Sequence, residues 1–207
     1  MARYTGAVCR LCRRHGEKLF LKGDKCATNC VFDKRPMPPG MRTARRRKIS
    51  DRGLQLREKQ RARSMYGILE RQFRRYYEEA VRHPGVTGDN LLRLLESRLD
   101  NVVYRLGWAD SRNQARQVVR HGHIALRDRK TNIPSARVKP GDTIGWTERA
   151  RASEYFAIAK EKATGKSIVS WLSMNPENMT GQVLNEVNPA EAETLFDPSV
   201  IVEFYSR

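Results

Sequence analysis

Cys9, Cys12, Cys26 and Cys30 are the residues whose types and spacing most directly imply chemistry. They read C-x-x-C, thirteen intervening residues, then C-x-x-x-C, and the chain of 207 residues holds no other cysteine. Each pair can wrap a tight turn around a tetrahedral ion while the loop between them brings the pairs together. Zinc is the first expectation; an iron–sulfur cluster is the alternative, because it also takes four thiolates. Four protein ligands leave no open position for a reacting water, so the role is structural, and thirty residues are too few to fold by burial alone. Two disulfides would be out of place in the cytosolic protein expected here. Arg10, Arg13, Arg14 and Lys25 can offset the negative charge of the thiolates. His15 is expected on the surface of this knob rather than among its ligands.

Two other fragments resemble chemistry and fail on context. Gly165-Lys166-Ser167 echoes the end of a phosphate-binding loop, but the first glycine of that loop would fall at Lys160. His121-Gly122-His123 has metal-like spacing with no cysteine or carboxylate close in sequence to complete a site, so backbone or phosphate partners are expected. No catalytic residue is assigned and no enzyme is expected.

The elements that must position these residues are strongly basic. The chain has 40 Lys and Arg against 23 Asp and Glu, a net charge of +17. Residues 1–75 carry +16 of it, residues 76–150 carry +4 and the remainder carries −3. A polyanion partner explains such a gradient, since neutralised phosphates release condensed counterions. A membrane surface would call for large apolar residues beside the cations, and Met41-Arg42-Thr43-Ala44-Arg45-Arg46-Arg47-Lys48 offers none. No run approaches the roughly 18 apolar residues of a membrane span. The first residues, MARYTGAVCRLC, lack an apolar signal core, so the cytosol is the expected address.

Asp33 to Gly40, DKRPMPPG, reads as a linker. Ser50 with Asp51 predicts a helix start, and Gly67 a stop after Tyr66. A second helix is predicted from Leu69 to Arg82, with Leu69, Phe73, Tyr76, Tyr77 and Ala80 inward and an Arg75–Glu79 pair on its wet face. Leu91, Leu92, Leu94, Leu95 and Leu99 supply another apolar stripe. Beyond Arg98 come a helix over 99–106 capped by Gly107, and one from Asp110 or Ser111 to Arg120 closed by Gly122. On this last helix Arg112, Arg116 and Arg120 form a stripe roughly 110° from Ala115, Val118 and Val119, which leaves three guanidiniums outward with no acid on that face. Asp100 is expected on a helix surface. His123 to Leu126 precedes a polar turn over 127–130, and further short strands are predicted at 137–138 and 143–146 around a Pro140-Gly141-Asp142 turn.

The stretches SRLDNVVYRLG, SRNQARQVVRHGHI and IPSARVKPGD are similar to the RNA-binding module of the small-subunit ribosomal protein S-four family. The four-cysteine knob, the PPG linker, REKQRARSMYGILERQFRRYYEEA and the terminal IVEFYSR resemble the bacterial members over nearly the whole chain, most weakly at 150–195. One departure is the turn Leu126-Arg127-Asp128-Arg129, where the family commonly has an Asn-Gly hairpin. The resemblance implies an α+β fold: a metal-bound knob with basic linker over 1–49, a small helical domain over 50–97 on which 198–207 packs back, and an inserted two-helix, small-sheet RNA-binding module over 98–197. It also implies direct binding to 16S ribosomal RNA, nucleation of subunit assembly, contact with ribosomal protein S-five, a place near the path by which messenger RNA enters, and an influence on accuracy. Arg98-Leu99-Asp100 matches a tripeptide of RNA pseudouridine synthases, but here it lies inside the module with no catalytic domain after it.

The residues expected to meet RNA are Arg3, Arg10, Arg13 and Arg14 of the knob; Arg42, Arg45, Arg46, Arg47 and Lys48 of the linker; Arg57, Lys59, Arg61, Arg63 and Tyr66 of the first long helix; Arg71 and Arg74 of the second; and Arg112, Arg116, Arg120, His121 and His123 of the module. The competing expectation is a zinc-containing DNA-binding regulator, for which Arg112, Asn113, Gln114 and Gln117 would read base edges.

Overall fold

A computed structural model of the chain describes residues 4–41, 48–163, 165–192 and 195–206. The chain divides into two compact units, residues 1–92 with 193–207 and residues 93–192.

In the first unit, three short helices, α1 (Cys9–His15), α2 (Asp24–Thr28) and α3 (Val31–Lys34), surround a small core of Cys12, Leu19 and Leu21. Two long helices follow, α4 (Asp51–Tyr66) and α5 (Glu70–Arg82). Ser50 starts α4 by accepting a hydrogen bond from the Gly53 amide at 3.2 Å. Gly67, at φ 62°, ends it in the left-handed conformation that glycine adopts without a Cβ penalty. Phe73, Tyr76 and Ala80 are buried along α5, but Leu69, expected inward, is exposed because it stands before the first turn as the N-cap. The expected Arg75–Glu79 pair is not the one formed: Arg74 pairs with Glu78 at 3.0 Å, and Glu79 faces His83 at 3.8 Å.

The carboxy-terminal helix α11 (Pro198–Ser206) packs on α4 and buries Ile201. Tyr205 stacks on Tyr77 with ring centroids 4.7 Å apart and donates its hydroxyl to Glu70 at 2.7 Å. Burial pushes the Glu70 carboxyl up, but hydrogen bonds from Lys59, Tyr205 and Arg63 outweigh it and hold the group below its ordinary range.

Helix α6 (Thr87–Glu96) leads into the second unit, where α7 (Leu99–Arg105) and α8 (Arg112–Arg120) pack on one another. Ser111 caps α8 by accepting from the Gln114 amide at 3.3 Å. A five-stranded antiparallel sheet follows in the order β2-β1-β3-β5-β4, from β1 (Ile124–Leu126), β2 (Arg129–Lys130), β3 (Thr143–Trp146), β4 (Leu172–Asn175) and β5 (Thr180–Val183). Helices α9 (Glu148–Arg151) and α10 (Glu154–Ala163) lie between β3 and β4 in sequence. Trp146 is the centre of an aromatic cluster, 5.6 Å from Trp108 and 5.3 Å from Phe156 between ring centroids. At Gly181 on β5 a Cβ would come within 2.7 Å of Leu106, so only glycine lets the strand lie this close to α7.

Two expectations for this unit are corrected. Arg137 forms no sheet strand; it bridges Arg98, while Leu99 and Asp100 at the start of α7 donate their amides to Ala136 and Pro134 at 2.8 and 3.1 Å. The segment thus satisfies the open amides at a helix start instead of extending the sheet. The polar stretch 127–130 is a two-residue turn followed by strand β2.

Candidate nucleic-acid interface and cysteine knob

The four cysteines are free thiols; Cys12, Cys26 and Cys30 are buried and Cys9 is half-buried. Burial pushes the Cys12 thiol up, and the charges of Cys26, Cys9 and Cys30 add to it, so the four sulfurs act on one another electrostatically. The Lys22 amide donates to Cys26 Sγ at 3.3 Å. The donor chemistry therefore suits a soft dication, which would supply the charge that thiolates need. Among the described residues, no three His, Cys, Asp or Glu side chains are gathered into a set that holds an ion as it stands.

His15 is not a free surface residue. It is half-buried, its Nε2 lies 3.2 Å from Ser64 Oγ on α4, and burial with the charges of Arg61, Arg14, Arg57 and Arg63 lowers its pKa to about 4. Arg61 carries the same junction further, pairing with Glu17 at 3.0 Å and Glu58 at 2.7 Å.

Of the other residues expected to meet RNA in the first unit, Arg10, Arg14, Lys48, Arg57, Arg71 and Arg74 are exposed. Arg13 is half-buried and donates to the Met37 carbonyl at 2.8 Å, and Arg63 pairs with Glu70 at 3.1 Å. Arg3, Arg42, Arg45, Arg46 and Arg47 lie outside the described residues. Lys59 and Tyr66 are corrected: both are buried, at 5% and 4% exposure. The Lys59 ammonium meets Glu70 at 2.7 Å and sits 4.8 Å from the Phe204 ring centroid, and Tyr66 packs edge-on against Phe196. A return helix laid on α4 turns what is a wet face in an isolated helix into an interior one.

In the second unit the three-arginine stripe is divided. Arg120 is exposed, whereas Arg112 and Arg116 are half-buried. Arg116 Nη1 meets Asp100 Oδ2 at 3.0 Å, and the same carboxylate takes Arg98 Nε and Nη2 at 3.0 and 2.7 Å. Asp100 is thus buried, at 4% exposure, and not an ordinary surface residue. Arg112 donates to Asn101 Oδ1 at 2.8 Å, lies over the Tyr104 ring and approaches Glu96, which also takes Arg105 at 2.9 Å. The acids that balance these arginines come from the preceding helices, which the sequence of α8 alone does not display. Gln114, a base reader in the DNA-binding expectation, instead accepts the Asp110 amide at 2.9 Å.

His121 is exposed and His123 half-buried, their ring centroids 5.9 Å apart. Burial lowers the His123 pKa, helped by His121, Arg149 and Lys130. Exposed Arg129, Lys130 and Arg149 around this turn are not among the residues the sequence marks for RNA. The run Arg127-Asp128-Arg129-Lys130, bounded by an apolar strand, is the signal that could have marked Arg129 and Lys130 as a strand-borne basic edge. Arg127 and Asp128 at the turn have φ of 51° and 59°. Two positive values mark the hairpin turn whose twist matches the strands, at a cost of about 1–3 kcal/mol for each non-glycine residue.

Residues 3–96 match the family described as ribosomal protein S4/S9 N-terminal domain, and residues 97–144 match the S4 domain. A protein of Dehalococcoides mccartyi (strain CBDB1) named small ribosomal subunit protein uS4 is 53% identical over 207 residues. Its namesake in Dictyoglomus turgidum is 53% identical over 208 residues, and small ribosomal subunit protein uS4A of Clostridium botulinum (strain ATCC 19397 / Type A) is 52% identical over 208. Each alignment spans 100% of both chains. The chain belongs to the uS4 family. The S4-domain match ends at Thr143-Ile144 within β3, yet β5 pairs with those two residues, so the sheet is completed by chain beyond the matched span.

Proposed function

We propose that this protein is a structural, non-enzymatic component of the small ribosomal subunit that binds 16S ribosomal RNA directly, in the cytoplasm. Family membership along the full length carries this reading. The concentration of positive charge in the first third, much of it exposed, supports it. No helix among the described residues is long and apolar enough to cross a membrane. In the finer reading, 1–49 is the knob and basic linker, 50–97 with 198–207 is a helical domain, and 98–197 is the RNA-binding module with its extension. The proposed contacts are Arg3, Arg10, Arg14, Arg42, Arg45, Arg46, Arg47, Lys48, Arg57, Arg71 and Arg74 in the first two parts, and Arg120, His121 and His123 in the third. Arg13, Arg61, Arg63, Arg112 and Arg116 contribute as anchored cations whose position is fixed by protein partners. The knob holds zinc, or less fittingly an iron–sulfur cluster, through Cys9, Cys12, Cys26 and Cys30. Nucleation of assembly, contact with ribosomal protein S-five, a place near incoming messenger RNA and an influence on accuracy belong to the same reading.

The test compares binding of the purified full chain to a 16S ribosomal RNA transcript and to duplex DNA across a salt series. Tighter RNA binding is expected. Neutral replacement of the cations at 42–48 and of Arg57 is expected to flatten the log–log salt dependence by about 0.7–0.9 for each phosphate no longer neutralised. Equal affinity for DNA overturns the RNA reading, and an unchanged slope removes this segment from the footprint.

A further inference from the structure

The turn at Arg127-Asp128 is held by a device from elsewhere in the second unit. Arg127 Nε and Nη2 donate to Asp142 Oδ1 and Oδ2 at 2.6 and 2.8 Å, a two-pronged ion pair. Asp142 Oδ2 also accepts the Lys139 amide at 2.8 Å, and the Arg127 amide donates to the Thr143 carbonyl at 2.9 Å. The turn is thereby fastened to the Pro140-Gly141-Asp142 bend, although Arg127, unlike Asp128, is not a residue type that adopts positive φ readily.

What the turn delivers is β2, which among the described residues is the edge of the sheet and pairs with β1 through Ala125↔Lys130 and Leu126↔Arg129. Lys130 lies across Gly122: a Cβ there would come within 2.5 Å of Lys130 Cε. Its ammonium therefore stands beside the His121-Gly122-His123 turn, where Lys130, His121 and Arg149 all act electrostatically on His123. Lys130 of β2 and His121, just after α8, thus stand beside His123, and Arg149 of α9 is near enough to act on His123 electrostatically. Such a group suits a single backbone phosphate, since several N–H donors can share its oxygens.

We propose that Asp142, by clamping Arg127, is the positioning residue that holds Lys130 beside His121, His123 and Arg149 to form a binding site for one phosphate of the RNA backbone. The inference rests on the RNA-binding reading above. In it the Arg127 guanidinium is committed to Asp142 and is not itself a phosphate contact; its role is to hold an unfavourable turn in the shape that places its neighbour.

The experiment uses the full chain and a 16S ribosomal RNA transcript, with affinity and salt slope measured by filter binding and folding checked by thermal melting. Asp142→Asn is expected to weaken binding roughly tenfold and to lower the slope by about 0.7–0.9, the signature of a single phosphate left without its cation. Lys130→Ala is expected to do the same. The decisive variant adds Arg127→Asn and Asp128→Gly to Asp142→Asn, giving a turn that adopts positive φ without a clamp. It is expected to recover both affinity and slope; since the three changes together add one positive charge, its gain is read against Asp128→Gly in the parent, and a gain no larger than that control's overturns the proposal. Because an Asn-Gly turn also restores stability, thermal melting must show Asp142→Asn fully folded at the binding temperature; weak binding that is explained by unfolding there overturns the positioning role, and a direct role for Arg127 would leave the triple variant weak. The proposal is overturned if Asp142→Asn or Lys130→Ala binds as the parent does, or if the triple variant stays as weak as Asp142→Asn. If the parent chain itself fails to bind the transcript, the RNA-binding reading falls and takes the inference with it; parent binding with unaffected variants sinks the inference alone.

Discussion

The His15 imidazole joins the cysteine knob to α4 through Ser64, and its environment sets a pH dependence. Its folded pKa, about 4, lies below the ordinary 6.5 because burial and nearby guanidiniums disfavour the charged ring. Between those values the unfolded chain binds a proton that the folded chain resists, so stability rises with pH. The contribution is complete above about pH 6.5 and is lost as pH falls through 6.5 toward 4. Melting of the full chain at pH 7.5 and at pH 5 is expected to show a larger drop for the parent than for His15→Gln. Equal drops would show that His15 carries none of the dependence. The pairing of the four cysteines is legible without coordinates, because each pair is local in sequence. The burial of His15 is not, since the covering arginines come from α4 as well as from the knob.

Among the elements, α7 and α8 are tied by carboxylates that lie inside. Asp100 receives Arg98 from its own helix start and Arg116 from the next helix, while Glu96 of α6 receives Arg105 and approaches Arg112. Removing one member of a buried ion pair leaves the remaining charge desolvated, a cost of about 3–5 kcal/mol. Asp100→Ala, which takes that carboxylate from the wholly buried Arg98 side chain, is expected to lower denaturant stability by that amount with an unchanged m-value; a loss below about 1 kcal/mol would show the network to be dispensable. Helix ends were readable because caps are local: Ser50, Gly67 and Ser111 all stand where their chemistry predicts. The partners of Arg112 and Arg116 were not, because a stripe drawn on one helix carries no information about the helix beside it. The β4–β5 hairpin was missed for a related reason. Leu172-Ser173-Met174-Asn175 alternates apolar and polar over only four residues, too short a run to stand out, while Thr180-Gly181-Gln182-Val183 does not alternate and carries a glycine packed against Leu106.

Over the whole molecule, the contiguous second unit has its own core, while the cysteine knob belongs to the first. Chelation of the proposed metal is accordingly expected to abolish amide protection across residues 9–34 while amides of β1 and β3 stay protected, as read by hydrogen exchange. Equal loss in both places, or no metal by elemental analysis of the purified protein, would dispose of the metal assignment. The charge gradient and the family resemblance made the general architecture legible, whereas the withdrawal of Tyr66 and Lys59 from the surface involves Phe196 and, on α11, Phe204, which come 130 or more residues further along the chain. That return helix also orders events in time. As the polypeptide emerges during translation, residues 93–192 can close on themselves once they have appeared, but the flank of α4 that carries Gln55 and Lys59 stays uncovered until residues 198–206 follow. The half made first is therefore closed by the residues made last, and a released chain truncated after residue 192 would hold a complete second unit tethered to a first one that lacks α11 and stays open to chaperones and proteases.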